Sequence, residues 1–193
     1  MIISFVEYKM PLAKNIFWAF CAFYGFTFAI GKESVGTDIL QYMAELQYLH
    51  EQSQLGIAGV IDYFKVKGDV DIFRTILSFI LSRFTDSQVI LTLVYAVIFG
   101  FFYSRNVWYI FSLIENRLTI LEKMIFLSII LLIPIWFING FRMWTAFHIF
   151  MYGLLPFIFE KKKIGIFFML LSFWYIFLYN SYFLSRDLYY FWK

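Results

Sequence analysis

Charged residues fall along this chain in bunches, and long apolar runs separate the bunches. Residues 15–31, 87–104, 124–141, 143–159 and 164–185 contain no Asp, Glu, Lys or Arg. A helix needs roughly 20 apolar residues to cross the ~30 Å hydrocarbon layer of a bilayer, and each run approaches that length. The pattern predicts five transmembrane helices, at 15–31, 87–104, 124–139, 141–159 and 164–185. The third and fourth form a hairpin, because Asn139-Gly140 is a turn signal inside an otherwise continuous apolar stretch. Pro134 is expected to kink the first arm, with neighbouring helices satisfying the freed backbone groups.

The stretch 32–86 between the first two spans has a different rhythm. Ile39, Met43, Leu46 and Leu49 recur at helical spacing, with Asp38, Gln41, Glu45 and Gln52 on another face. This predicts an amphipathic helix lying at an interface. Within 70–84, Ile72, Phe73, Ile76, Leu77, Phe79 and Ile80 form a second periodic set among Asp71, Arg74 and Arg83. That piece is too short to span a bilayer and is expected to be interfacial or re-entrant. The predicted fold class is all-α. It is a single transmembrane domain over 1–193, with 32–86 as an external loop carrying the amphipathic helices and with no internal repeat.

Composition strengthens this picture. The chain is 62% hydrophobic and 15% charged, whereas a water-soluble domain has about 45–50% apolar and a quarter charged residues. Aromatic residues reach 24%; Phe suits hydrocarbon, while Tyr and Trp suit the two interfaces. The first span is longer than a signal-peptide core, and no small-x-small cleavage site follows it.

The net charge of +3 is distributed as a topology signal rather than as a nucleic-acid stripe. Lys9 and Lys14 precede the first span, Arg105, Arg117 and Lys123 flank the link from second to third, and Lys161–Lys163 fill the turn from fourth to fifth. An even number of spans separates each cluster from the next, so all three can be cytoplasmic. That puts the N-terminus inside, and both 32–86 and Asn139-Gly140 outside.

Arg142 is the only Asp, Glu, Lys or Arg between Lys123 and Glu160, and it directly follows the outward turn. An arginine there either snorkels to the interface or grips a phosphate or pyrophosphate with its planar fork. Thr145, Ala146, Ile149 and Gly153 share its helix face, a largely small-residue stripe that lets a helix or a lipid-linked substrate come close. His148 points elsewhere and reads as a packing residue. Asp38, after Gly36-Thr37, is either a helix cap or, with Tyr42 and Glu45 near its face, part of a sugar-binding set. Cys21 is the single cysteine, so one chain has no disulfide or cysteine-based metal site. Phosphate-binding loop, nucleophile elbow, zinc and dinucleotide motifs are absent, and no cofactor is expected. Apart from His148 the spans carry no ionisable residue at mid-depth, which argues against an ion channel or proton-coupled carrier.

The stretch Asn139-Gly140-Phe141-Arg142-Met143-Trp144-Thr145-Ala146, opening a helix that ends at a Lys-rich turn, resembles a pattern of the EpsG family. These are Wzy-like membrane proteins of bacterial exopolysaccharide, capsule and O-antigen assembly. Gly36-Thr37-Asp38-Ile39-Leu40-Gln41-Tyr42 is similar to the family's Gly-x-Asp…Tyr segment, and Tyr103-Ser104-Arg105-Asn106 follows in similar order. The resemblance implies a glycan polymerase, of glycosyltransferase type, in a bacterial cytoplasmic (inner) membrane. It would join oligosaccharide repeats carried on polyprenyl pyrophosphate, without metal or nucleotide. It further implies Arg142 and Asp38 as catalytic residues, with Tyr42, Glu45 and Thr145 binding substrate. Membrane lipids and other polysaccharide-assembly proteins are the implied partners, and nucleic acid is not. Family members carry further spans, which makes this chain a short relative or an N-terminal half. A second function remains open: a non-catalytic transport or assembly partner for lipid-linked glycans.

Overall fold

The computed structural model describes residues 10–27, 38–52, 72–114, 118–137 and 140–173. All regular structure among them is α-helical: α1 (Met10–Thr27), α2 (Asp38–Glu51), α3 (Ile72–Ser82), α4 (Gln88–Ile114), α5 (Ile120–Phe137), α6 (Phe141–Glu160) and α7 (Ile164–Phe173). The predicted fourth span coincides with α6 to within a residue. The second differs: α4 runs ten residues past 104 and straight through Arg105. The charge does not break the helix because the Arg105 side chain lies along it, over the Phe101 ring at 3.7 Å and bonded to the Phe101 carbonyl at 3.3 Å. Beyond it, Asn106, Val107, Trp108 and Phe111 continue the buried face.

Two other helices begin earlier than the charge pattern suggested. α1 starts at Met10 with Pro11 in its first turn, where a missing amide hydrogen costs nothing. α5 starts at Ile120 behind a capping box: Thr119 N–H and hydroxyl donate to Glu122 Oε2 at 2.7 and 2.8 Å. Pro134 lies within α5, which is helical on both sides of it. The predicted segments 28–31 and 174–185, and Asn139 of the turn, lie outside the described residues.

Close approach of backbones organises the packing. A β-carbon on Gly25 would strike Ala96, and one on Gly100 would strike Cys21, so α1 and α4 lie almost backbone to backbone. Trp18 Nε1 donates to the Val97 carbonyl at 2.8 Å across that contact. Likewise a β-carbon on Gly153 would strike the Gly165 carbonyl, and the converse also holds, which sets the crossing of α6 and α7. Of the small-residue stripe after Arg142, Gly153 is the position where another helix comes close, and that helix is α7. Lys161, left-handed at φ 56°, turns the chain between the two. Tyr103 on α4 donates to the Ile130 carbonyl of α5 at 2.9 Å, tying α5 to the same core.

The outer faces are apolar. Phe20, Phe23 and Phe26 on α1, Ile125 and Ile129 on α5, and Phe167, Leu170 and Phe173 on α7 are all exposed. Contiguous apolar surface of this kind marks contact with lipid or another protein rather than water. Two of the described helices, Gln88–Ile114 and Phe141–Glu160, are long and apolar enough to cross a membrane. α4, with 27 residues, is about 40 Å long at the α-helical rise.

Candidate functional site

α2 and α3 pack against one another, and a charged pair lies between them. Arg74 Nη2 stands 3.0 Å from Glu45 Oε2, with the arginine side chain 3% and the glutamate side chain 0% exposed. The Arg74 guanidinium also covers the Tyr42 ring at 4.6 Å. Tyr42 meets Tyr95 of α4 edge to face at 5.8 Å, and Tyr95 stacks on Phe141 of α6 at 4.0 Å. A continuous chain of contacts thus runs from the carboxylate on α2 to the first residue of α6. Thr75, Ser78 and Ser82 on α3 are buried on the same side as Arg74. Below them, His50 Nδ1 bonds the Ser82 carbonyl and fastens the end of α2 to the end of α3.

Such a pair is costly to form. Two charges leave water, and their mutual attraction offsets that loss only with good geometry and further hydrogen bonds. Tyr42 contributes the negative face of its ring to the cation. The Thr75 hydroxyl has no hydrogen-bond partner among the described residues, although it stands in the same buried stripe, while Ser78 reaches the Tyr95 hydroxyl of α4.

The residues singled out from sequence have four different placements. Tyr42 and Glu45 both meet Arg74, but they face inward, rather than outward with Gln41 as a sugar-binding face requires. The reason is Arg74, which gives the carboxylate a partner inside. Arg142 is half-buried in the first turn of α6, one residue from Phe141 and thus at the edge of this chain of contacts. Gly140 before it leaves α6 without a side-chain cap. Thr145 is fully buried, with its hydroxyl unbonded among the described residues, so it lines the core of the bundle rather than an open face. Asp38 opens α2, but its side chain lies outside those described.

His148 behaves as a packing residue. Asn106 Nδ2 reaches its Nδ1 at 3.2 Å and its carbonyl at 2.8 Å, and the rings of Phe99 and Tyr103 meet it edge on. An amide N–H directed at Nδ1 requires that nitrogen to be unprotonated, which places the imidazole proton on Nε2.

Arg74 is the buried charge least visible in the sequence, where it stands only among the charges around an apolar run. Its signal was the spacing of Arg74, Thr75, Ser78 and Ser82, which puts every polar group of that helix on one stripe. No metal-binding cluster of His, Cys, Asp or Glu occurs among the described residues. No family model, curated protein or solved structure matches this chain.

Proposed function

We propose that this protein is a membrane glycan polymerase, or the N-terminal half of one, acting on oligosaccharide repeats linked to polyprenyl pyrophosphate. In this reading five helices cross a bacterial cytoplasmic membrane, N-terminus inside, and α2, α3 and the start of α6 lie at its outer face. One observation carries the proposal. The Tyr95 ring touches both Tyr42 of α2 and Phe141 of α6, so the acidic helix and the arginine turn share one end of α4. The charge pattern assigns both segments to the outer side independently.

The chemistry follows from the groups available there. The bond from the anomeric carbon of the growing glycan to its pyrophosphate breaks, and a bond from that carbon to an acceptor hydroxyl oxygen forms. Arg142 stabilises the charge developing on the departing diphosphate, which a planar guanidinium can hold bidentately. Because Glu45 is engaged by Arg74, the acceptor proton goes to Asp38 as general base. Glu45 and Arg74 then act as positioning residues, holding Tyr42 and α2 against α4. Arg142→Ala is expected to abolish chain elongation and leave membrane insertion intact. Glycan analysis should show lipid-linked single repeats accumulating; a normal ladder of chain lengths from that variant would refute the role.

A further inference from the structure

The opposite end of the bundle contains a cavity that none of the preceding chemistry uses. It is an open-sided pocket of about 580 Å³, is walled by α1, α4, α6 and α7, and does not include Arg142. That volume falls in the usual range for small-molecule sites, about 300–1,000 Å³. Lys14, Arg105 and Lys162 reach it from three separate parts of the chain, accompanied by Tyr109, Tyr152 and one carboxylate, Glu160. Lys162 is largely exposed, and Lys14 and Arg105 bring two further positive charges to the same pocket, a surplus that favours an anionic guest.

Glu160 supplies part of the counter-charge. It is paired with Lys162, and that hydrogen bond holds its carboxyl below the usual carboxylate range. Lys14 and Arg105 are left facing the cavity. Arg105 is fixed in place: its Nη1 donates to Ser104 Oγ at 3.0 Å and its Nη2 to Asn15 Oδ1 at 3.1 Å, while the guanidinium lies against the edge-to-face pair of Phe101 and Trp18, 3.7 and 5.0 Å from their ring centroids. A guanidinium has five N–H donors, more than these protein acceptors use. A rigid, partly committed arginine with donors to spare is suited to an oxyanion.

We infer that this cavity binds a phosphate-bearing head group. Its other walls indicate the most fitting source. Ile164 and Phe168 line it, and the exposed apolar side chains Phe167 and Leu170 continue outward along α7. An amphiphile can therefore place its phosphate between Lys14 and Arg105 and run its hydrocarbon along α7. Basic pockets between helices at the cytoplasmic end of membrane bundles hold anionic lipid head groups in this manner. The site is separate from the polymerase reading and stands or falls without it.

The test uses the full chain, purified in a neutral detergent and titrated with dioctanoyl phosphatidic acid, with dioctanoylglycerol and with inorganic phosphate. Binding can be followed by the fluorescence of Trp108, which lines the cavity. Phosphatidic acid should bind saturably and dioctanoylglycerol should not. Arg105→Gln and Lys14→Gln should each weaken binding roughly tenfold or more, the equivalent of one charge-assisted hydrogen bond. Lys163→Gln, in the same basic turn but outside the cavity wall, should leave it unchanged. Inorganic phosphate competing for the site would identify the anion itself as what is recognised; failure to compete would identify the lipid. Both outcomes support a phosphate site. Equal binding of dioctanoylglycerol, or full affinity in Lys14→Gln, would overturn it. Should Arg105→Gln not fold, Lys14→Gln decides alone, because its side chain is only half-buried on α1.

Discussion

α2 and α3 pack together, yet they are built with opposite polarity. α2 buries Ile39, Met43, Leu46 and Leu49 and exposes Gln41, Gln47 and Glu51, as a helix beside water does. α3 buries Arg74, Thr75, Ser78 and Ser82 and exposes Phe73, Ile76 and Ile80. Its outer surface suits hydrocarbon, while its polar stripe turns inward, where Arg74 meets Glu45 of α2 and the Ser82 hydroxyl bonds the Phe79 carbonyl of its own helix. In the membrane arrangement proposed above the pair straddles a boundary, with α2 toward head groups and water and α3 toward lipid. Glu45 is the exception on α2, and Arg74 the strongest feature on α3; they are exceptions to the same pattern, and they meet. The contrast shows that polarity patterning by itself does not say which face of a helix is inside.

The largest effect should come from breaking that pair. Glu45→Ala strands a buried guanidinium and should cost about 3–5 kcal/mol of stability, read as a fall in the unfolding midpoint in mixed micelles. The double variant Glu45→Leu, Arg74→Leu should recover most of the loss, because neither charge then needs a partner. A double variant as damaged as the single one would mean that the charges do not act principally on one another.

A smaller effect should distinguish the two outer faces. Ile76→Lys places an ammonium where α3 meets lipid and should cost up to about 3 kcal/mol, the penalty of a lysine near the bilayer centre. Gln47→Lys on α2 should stay within about 0.5 kcal/mol, as for an ordinary solvated position. Equal costs would erase the contrast between the helices. The smallest effect concerns the polar stripe itself. Thr75→Val removes a hydroxyl that has no partner among the described residues and should change stability by less than about 1 kcal/mol. A larger loss would reveal a bond that organises the α2–α3 contact.

Much of this architecture was legible in the charge pattern, because a run without Asp, Glu, Lys or Arg has few alternatives to a buried or lipid-facing helix. α6 illustrates this, bounded by Gly140 and the Lys-rich turn. Helix ends were less legible. The Thr119–Glu122 capping box and Pro11 set two of the starts, and local capping outweighs hydropathy there. Arg105 was read as a topology marker at the edge of a span, yet it lies within α4, since aromatic rings and nearby oxygens can hold a guanidinium against a helix. The grouping of Tyr42 with Glu45 could be seen in their spacing. The inward turn of Glu45 could not, because it depends on Arg74, 29 positions along the chain and on another helix. The meeting of Lys14, Arg105 and Lys162 was hidden for the same reason: a charge cluster assembled from three segments leaves no local trace.

Site-directed spin labelling tests the central claim most directly. Single nitroxides at Ile76, at Gln47 and at Leu170 would be compared in lipid vesicles for collision with oxygen and with a water-soluble nickel chelate. Labels at Ile76 and Leu170 should respond to oxygen and be shielded from nickel, while the label at Gln47 should respond to nickel. Equal nickel accessibility at Ile76 and Gln47 would show that the apolar stripe of α3 faces water, contradicting this account of the fold and of the sealed ion pair beneath it.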